Sequence, residues 1–169
     1  MSGDGLRNVG TGTINLKGSA NTILAGDNGI QANGGRVTSK GDYNIIYGEN
    51  NGIENTDGAV DVTATYDNFI GGAENGIYAH GSQLVTVTAG RDNVIGRIQL
   101  TDGDVVTSTY GIRSDGGHIS LAAGGVNSIY GTQYGIQAQG GSVLTVSRTT
   151  NINVTQTEGS TTDVYGVSL

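Results

Sequence analysis

One short motif recurs from end to end of this chain. Asn-Gly-Ile stands at 28–30, 51–53 and 75–77, Tyr-Gly-Ile at 110–112 and 134–136, Tyr-Gly-Val at 165–167, and a leading Asp-Gly-Leu at 4–6. Successive starts lie 24, 23, 24, 35, 24 and 31 residues apart, so four units are within one residue of 24 and two are enlarged. A repeat of this size marks a solenoid, because a unit too small to bury its own apolar face must stack on its neighbours.

Within each unit the pattern reads [Asn/Tyr]-Gly-Ile-x-Ala-x-Gly-Gly-x-Val-x-Val-x-Ala and then Asn-x-Ile-x-Gly. Apolar and polar residues alternate inside each segment, as in Val85-Thr86-Val87-Thr88 and Leu144-Thr145-Val146-Ser147, which predicts strands with one buried face. Helical periodicity is absent, so the chain reads as all-β, with three short strands per coil. Stacked coils sit at about 4.8 Å, which makes six coils a rod roughly 29 Å long. Three internal ladders follow: Leu6, Ile30, Ile53, Ile77, Ile112, Ile136 and Val167; Ile23, Ile46, Ile70, Ile95 and Ile129; and Ile14, Val37, Val60, Val85, Ile119 and Leu144. The coils run 4–27, 28–50, 51–74, 75–109, 110–133 and 134–164, with the start of a seventh behind them and residues 1–3 a remnant outside the repeat.

Composition agrees. Thirty-one glycines and a single Phe without any Trp supply tight turns rather than a bulky core, and the absence of proline leaves every N–H free for a ladder. There is no cysteine, hence no disulfide framework and no thiolate metal site. A net charge of -7 with eight scattered Lys and Arg argues against nucleic acid as a partner. No apolar run approaches a membrane span, and the Met-Ser-Gly-Asp-Gly start lacks the basic and apolar regions of a secretion signal.

Three columns call for a physical reading. Asn21, Asn44, Asn68, Asn93, Asn127 and Asn151 align at one corner, either as an amide-to-amide ladder or as residues that merely suit a turn. The column Gly5, Gly29, Gly52, Gly76, Gly111, Gly135 and Gly166 marks positive φ or close backbone approach, and the Gly pairs at 34–35, 116–117 and 140–141 mark turns. The two insertions, about 97–107 and 154–164, carry Asp102-Gly103 and Glu158-Gly159-Ser160 and are expected to protrude as hairpins or loops from one edge of the rod.

These motifs resemble the repeats of bacterial autotransporter and haemagglutinin-type adhesin passenger domains. The resemblance implies a single-stranded, right-handed, pectin-lyase-like parallel β-helix. It also implies a secreted or surface-displayed passenger fragment without its leader or anchor, which adheres to a host or matrix surface (glycan or protein) or to copies of itself. The same superfamily holds polysaccharide lyases, hydrolases and tailspike-like folds, so a polysaccharide-binding or polysaccharide-processing β-helix is the alternative.

Candidate chemistry is sparse. A lyase would need clustered Asp ligands beside a base and a glycosidase two facing carboxylates, whereas the acidic residues here are dispersed. No cofactor and no metal are expected. Asp102 and Asp104 flank Gly103 and suit a hairpin turn better than a calcium loop; Asp42, Asp67 and Asp92 suit a solvated stripe; His80 and His118 suit exposed turns. Tyr110, Tyr134 and Tyr165 replace Asn28, Asn51 and Asn75, offering an aromatic ladder for sugar rings or another rod, with corner packing the competing reading. A hydroxyl-rich outer face is expected at Thr38, Asp61, Thr86, Ser120 and Thr145, beside Lys40, Thr63, Thr88, Ala122 and Ser147. Any binding surface is expected from about residue 97 onward.

Overall fold

The computed structural model describes residues 3–154 and 165–168. The chain is a parallel β-solenoid, with no helix among those residues. Coil one holds β1 (Leu6–Val9), β2 (Thr13–Lys17) and β3 (Ala20–Ala25); coil two holds β4 (Asn28–Asn33) and β5 (Arg36–Gly48); coil three holds β6 (Asn51–Thr56) and β7 (Ala59–Gly72). Coil four comprises β8 (Asn75–His80), β9 (Leu84–Ala89) and β10 (Asn93–Ile95), followed by β11 (Arg97–Gln99) and β12 (Val105–Thr107). Coil five is β13 (Tyr110–Asp115), β14 (His118–Ala123) and β15 (Val126–Gly131); coil six is β16 (Tyr134–Gln139), β17 (Ser142–Val146) and β18 (Thr149–Val154), and β19 (Tyr165–Ser168) opens the next.

The first strands form a seven-stranded parallel sheet in the order β1-β4-β6-β8-β13-β16-β19. The second and third strands belong to one ten-stranded sheet that bends around the rest of the rod. In coils two and three they fuse into β5 and β7, so the expected three short strands become two there. The corner is taken by a register shift between Gly41 and Tyr43 rather than by a loop, and the ladder runs on through it.

The Ile column of the seven-stranded sheet is fully buried from Ile30 through Ile112, and the second ladder is extended by Ile152, paired with Ile129. Each such isoleucine contributes about 1.5–3 kcal/mol by leaving water. Gly29, Gly52 and Gly111 make these columns possible by close approach rather than by positive φ. A Cβ on Gly29 would lie 2.6 Å from the Gly52 carbonyl oxygen and 2.7 Å from the Ile46 side chain. Among the turn glycines, Gly34, Gly116 and Gly140 do have positive φ.

Coil six departs from the expected ladders. Val143, not Leu144, pairs with Ile119, so Leu144 and Val146 point outward and are each 57% exposed. The Gly140-Gly141 corner holds β17 at 24 residues from β14 (Ala122 with Val146), whereas β18 sits 23 residues from β15 (Val126 with Thr149). The missing residue therefore lies after β17, and the phase set at the corner overrides the apolar alternation. The outer columns accordingly end in Leu144 and Val146 instead of Thr145 and Ser147.

The same slip moves the Asn column. Thr150 pairs with Asn127, and Asn151 is exposed beside Ser128. From Asn21 to Asn127 the column is a buried ladder: Nδ2 of Asn21, Asn44, Asn68 and Asn93 donates to Oδ1 of the next Asn at 2.9, 2.8, 2.9 and 2.9 Å. A second ladder runs the other way, with Asn51 Nδ2 donating to Asn28 Oδ1 at 2.8 Å, Asn75 Nδ2 to Asn51 Oδ1 at 2.7 Å, and Asn28 Nδ2 to Asp4 Oδ1 at 2.9 Å. The two amide columns oppose their dipoles along the rod.

Candidate functional site

The side chains with most chemistry to offer gather on the outer face of the seven-stranded sheet. Outward positions of the first strand align as Gln31, Glu54, Tyr78, Arg113 and Gln137 in one column and as Thr56, His80 and Asp115 in the next. Stacking at strand spacing, about 4.8 Å, brings together residues that are up to 37 positions apart in sequence, as Tyr78 and Asp115 are.

Arg113 is the centre. Its guanidinium lies 5.0 Å from the Tyr78 ring centre and 5.4 Å from that of Tyr110, and its Nη2 pairs with Asp115 Oδ2 at 2.9 Å. Tyr78 donates its hydroxyl to the same Asp115 oxygen at 3.0 Å. Burial, reinforced by Asp115, pushes the Tyr78 phenol above its ordinary pKa. Burial alone would lower the Arg113 guanidinium; Asp115, with Tyr78 and Tyr110, outweighs it, so the cation is held more firmly than usual. Arg113 Nε and Asp115 Oδ1 are buried without a hydrogen-bond partner, two exceptions to the rule that buried polar groups are paired.

His80 stacks on Tyr78 with ring centres 4.6 Å apart; its Nε2 is 2.9 Å from Thr56 Oγ1 and 3.5 Å from Glu54 Oε1. Glu54 Oε2 accepts from Gln31 Nε2 at 3.2 Å. Beside Arg113, Tyr110 and Tyr134 stack nearly parallel, 5.2 Å apart at 3°. The result is a strip of stacked rings whose faces are taken up by one another and by the Arg113 guanidinium, edged by carboxylates and an imidazole.

The residues singled out from sequence fare differently. Tyr110 and Tyr134 join this strip; Tyr165 pairs with Tyr134 through its backbone, and its side chain lies outside the described residues. Asp102 and Asp104 are in the β11–β12 hairpin turn, where Asp102 Oδ1 accepts from the Asp104 N–H at 3.1 Å. The hairpin folds back onto the rod instead of protruding: Ile98 is 4% exposed and packs over Gly71, where a Cβ would meet it at 3.0 Å. The second insertion lies outside the described residues.

Asp67 and one of the two histidines depart from expectation. Asp67 is buried and paired with Arg91, and the partly exposed Asp92 caps the Val126 N–H through Oδ1 at 2.7 Å, so these two carboxylates satisfy corner groups. His80 is half-buried at the end of β8 rather than on an exposed turn; His118 is exposed at the start of β14, in the other sheet, 2.8 Å from Ser142 Oγ. Glu54, Tyr78, Arg113 and Asp115 were missed, and the strip begins well before residue 97. Their signal was present as the variable x positions after each Gly-Ile, which share a face one coil apart.

No known family matches the chain, and neither a curated protein nor a solved structure shows detectable similarity to it. No helix among the described residues is long and apolar enough to cross a membrane, and those residues hold no group of three or more His, Asp or Glu able to bind a metal.

Proposed function

We propose that this solenoid is an adhesive rod, a passenger segment of a secreted or surface-displayed protein, and that it contacts glycans through the outer face of the seven-stranded sheet. The observation that carries this reading is Arg113 held between Tyr78 and Tyr110 with Tyr134 stacked behind. The stacked rings and the guanidinium together offer apolar ring edges and N–H donors to the C–H groups and hydroxyls of sugars. Binding is favoured over turnover because the carboxylates are already engaged: Asp115 by Arg113 and Tyr78, Glu54 by Gln31. Glu54 and Asp115 also stand two coils apart, about 9.6 Å along the rod. A rod of repeated contacts gains strength by many weak, simultaneous engagements.

The test is a panel of neutral and acidic polysaccharides scored for both retention and chain shortening. Retention that is lost in Tyr110→Ala and Arg113→Ala, without new chain ends, supports the proposal. Robust shortening by the wild type overturns it in favour of a polysaccharide-processing enzyme.

A further inference from the structure

The hairpin creates a second concave feature on a different sheet. Where β11 and β12 cross the outer face of the ten-stranded sheet they leave a cleft on each side. On one side Arg97 lies over the Tyr130 ring, 5.4 Å from its centre, beside Phe69 and Val94. The cleft on the other side, about 370 Å³, has Leu24, Ile45 and Tyr47 of coils one and two as its floor and Ile98 and Leu100 of the hairpin as its wall. That volume falls within the range of small-ligand sites. Leu24 is 44% exposed in it, apolar surface left open by the described residues.

The charge of this cleft is one-sided. Glu49 from the rod and Asp102 from the hairpin turn both line it, and no Lys or Arg does. Both carboxylates act on Tyr47, whose phenol is pushed up first by burial and then by Glu49 and Asp102. The basic residue of the hairpin base, Arg97, lines the opposite cleft.

We infer that the cleft between the hairpin and coils one and two receives a lysine side chain of a partner polypeptide, its methylenes on Leu24, Ile45 and Leu100 and its ammonium between Glu49 and Asp102. Lysine combines an apolar stem with a charged tip, which is the shape of this cleft: apolar within, acidic at the rim. The whole chain, at net charge -7, draws a cationic partner in the same sense. This site is independent of the glycan-binding strip and lies on the other sheet.

Methyl NMR titrations with hexylammonium, hexanol, hexanoate and an acetylated, amidated Gly-Lys-Gly peptide test it. Hexylammonium and the peptide are expected to shift the Leu24, Ile45 and Leu100 methyls and to compete with each other, with hexanoate leaving them unmoved. Glu49→Gln and Asp102→Asn should each weaken hexylammonium about threefold, the scale of one exposed charge contact, and leave hexanol unchanged. Asn at 102 keeps the oxygen that accepts from the Asp104 N–H, and Glu49 lies on the rod, so its variant reports on charge without touching the hairpin. Hexanoate binding as tightly as hexylammonium, a peptide that fails to compete, or full hexylammonium affinity in the double variant would each overturn the proposal.

Discussion

Asn44 donates its Nδ2 to Asn68 Oδ1 across 2.8 Å with both side chains fully buried, and with its other proton reaches the Thr63 carbonyl at 2.9 Å. Each inner amide of this column, Asn44, Asn68 and Asn93, therefore joins the coil on either side and closes a corner. Asn68→Ala leaves the Asn44 amide and the Asn93 oxygen short of a partner at once, and should cost about 3 kcal/mol. Asn151→Ala, outside the ladder, should stay within about 0.5 kcal/mol of wild type. Denaturant midpoints of the two variants check this; equal losses would contradict it.

The inverted phase of β17 makes an equally direct prediction. Val143→Ala should destabilise by about 1 kcal/mol, whereas Leu144→Thr should be nearly neutral, since Leu144 is 57% exposed. Light scattering should show less self-association for Leu144→Thr combined with Val146→Thr, because the pair is an exposed apolar step on the outer sheet.

Asp57 occupies a corner column otherwise filled by Gly34, Gly81, Gly116 and Gly140, and it has a φ of 145° where those glycines are also positive. A non-glycine side chain held there costs of order 1–3 kcal/mol. Replacing it with Gly removes that cost against a smaller loss of chain entropy, so Asp57→Gly should stabilise by about 1 kcal/mol. Thermal melting of the variant is the check.

Much of this was readable before the fold was known, and the exceptions share a cause. Every start pairs as spaced, from Leu6 with Ile30 to Ile136 with Val167, because identical coils leave only one register that keeps Ile on Ile. Sequence alignment failed at Leu144 and Asn151, where one deleted residue could be placed on either side of a strand and only the corner geometry decides. The contact strip was hidden for a different reason. Outward positions obey no ladder, so Tyr78, Arg113 and Asp115 look like unremarkable variation until neighbouring coils are laid side by side.

Tyr47 and Tyr78 both titrate above the ordinary 10.0, each first because of burial, then through Glu49 and Asp102 for Tyr47 and through Asp115 for Tyr78. A raised phenol pKa in the folded chain means that the neutral form is favoured by folding. The contribution is complete below pH 10.0 and is lost as pH rises through the folded values. Phenolate absorbance should therefore show Tyr47 and Tyr78 titrating late, with a modest loss of stability on the alkaline side. Asp115→Asn should bring one of them back toward the ordinary value.

The outer strip is best tested by comparing two faces of one rod on a glycan array. Wild type and Thr86→Ala, altered on the ten-stranded sheet, should bind the same glycans with the same strength, while Arg113→Ala should lose about tenfold or more, as expected for removing a central cation that orders two rings. Equal binding by all three proteins would contradict the assignment of the seven-stranded sheet as the contact face.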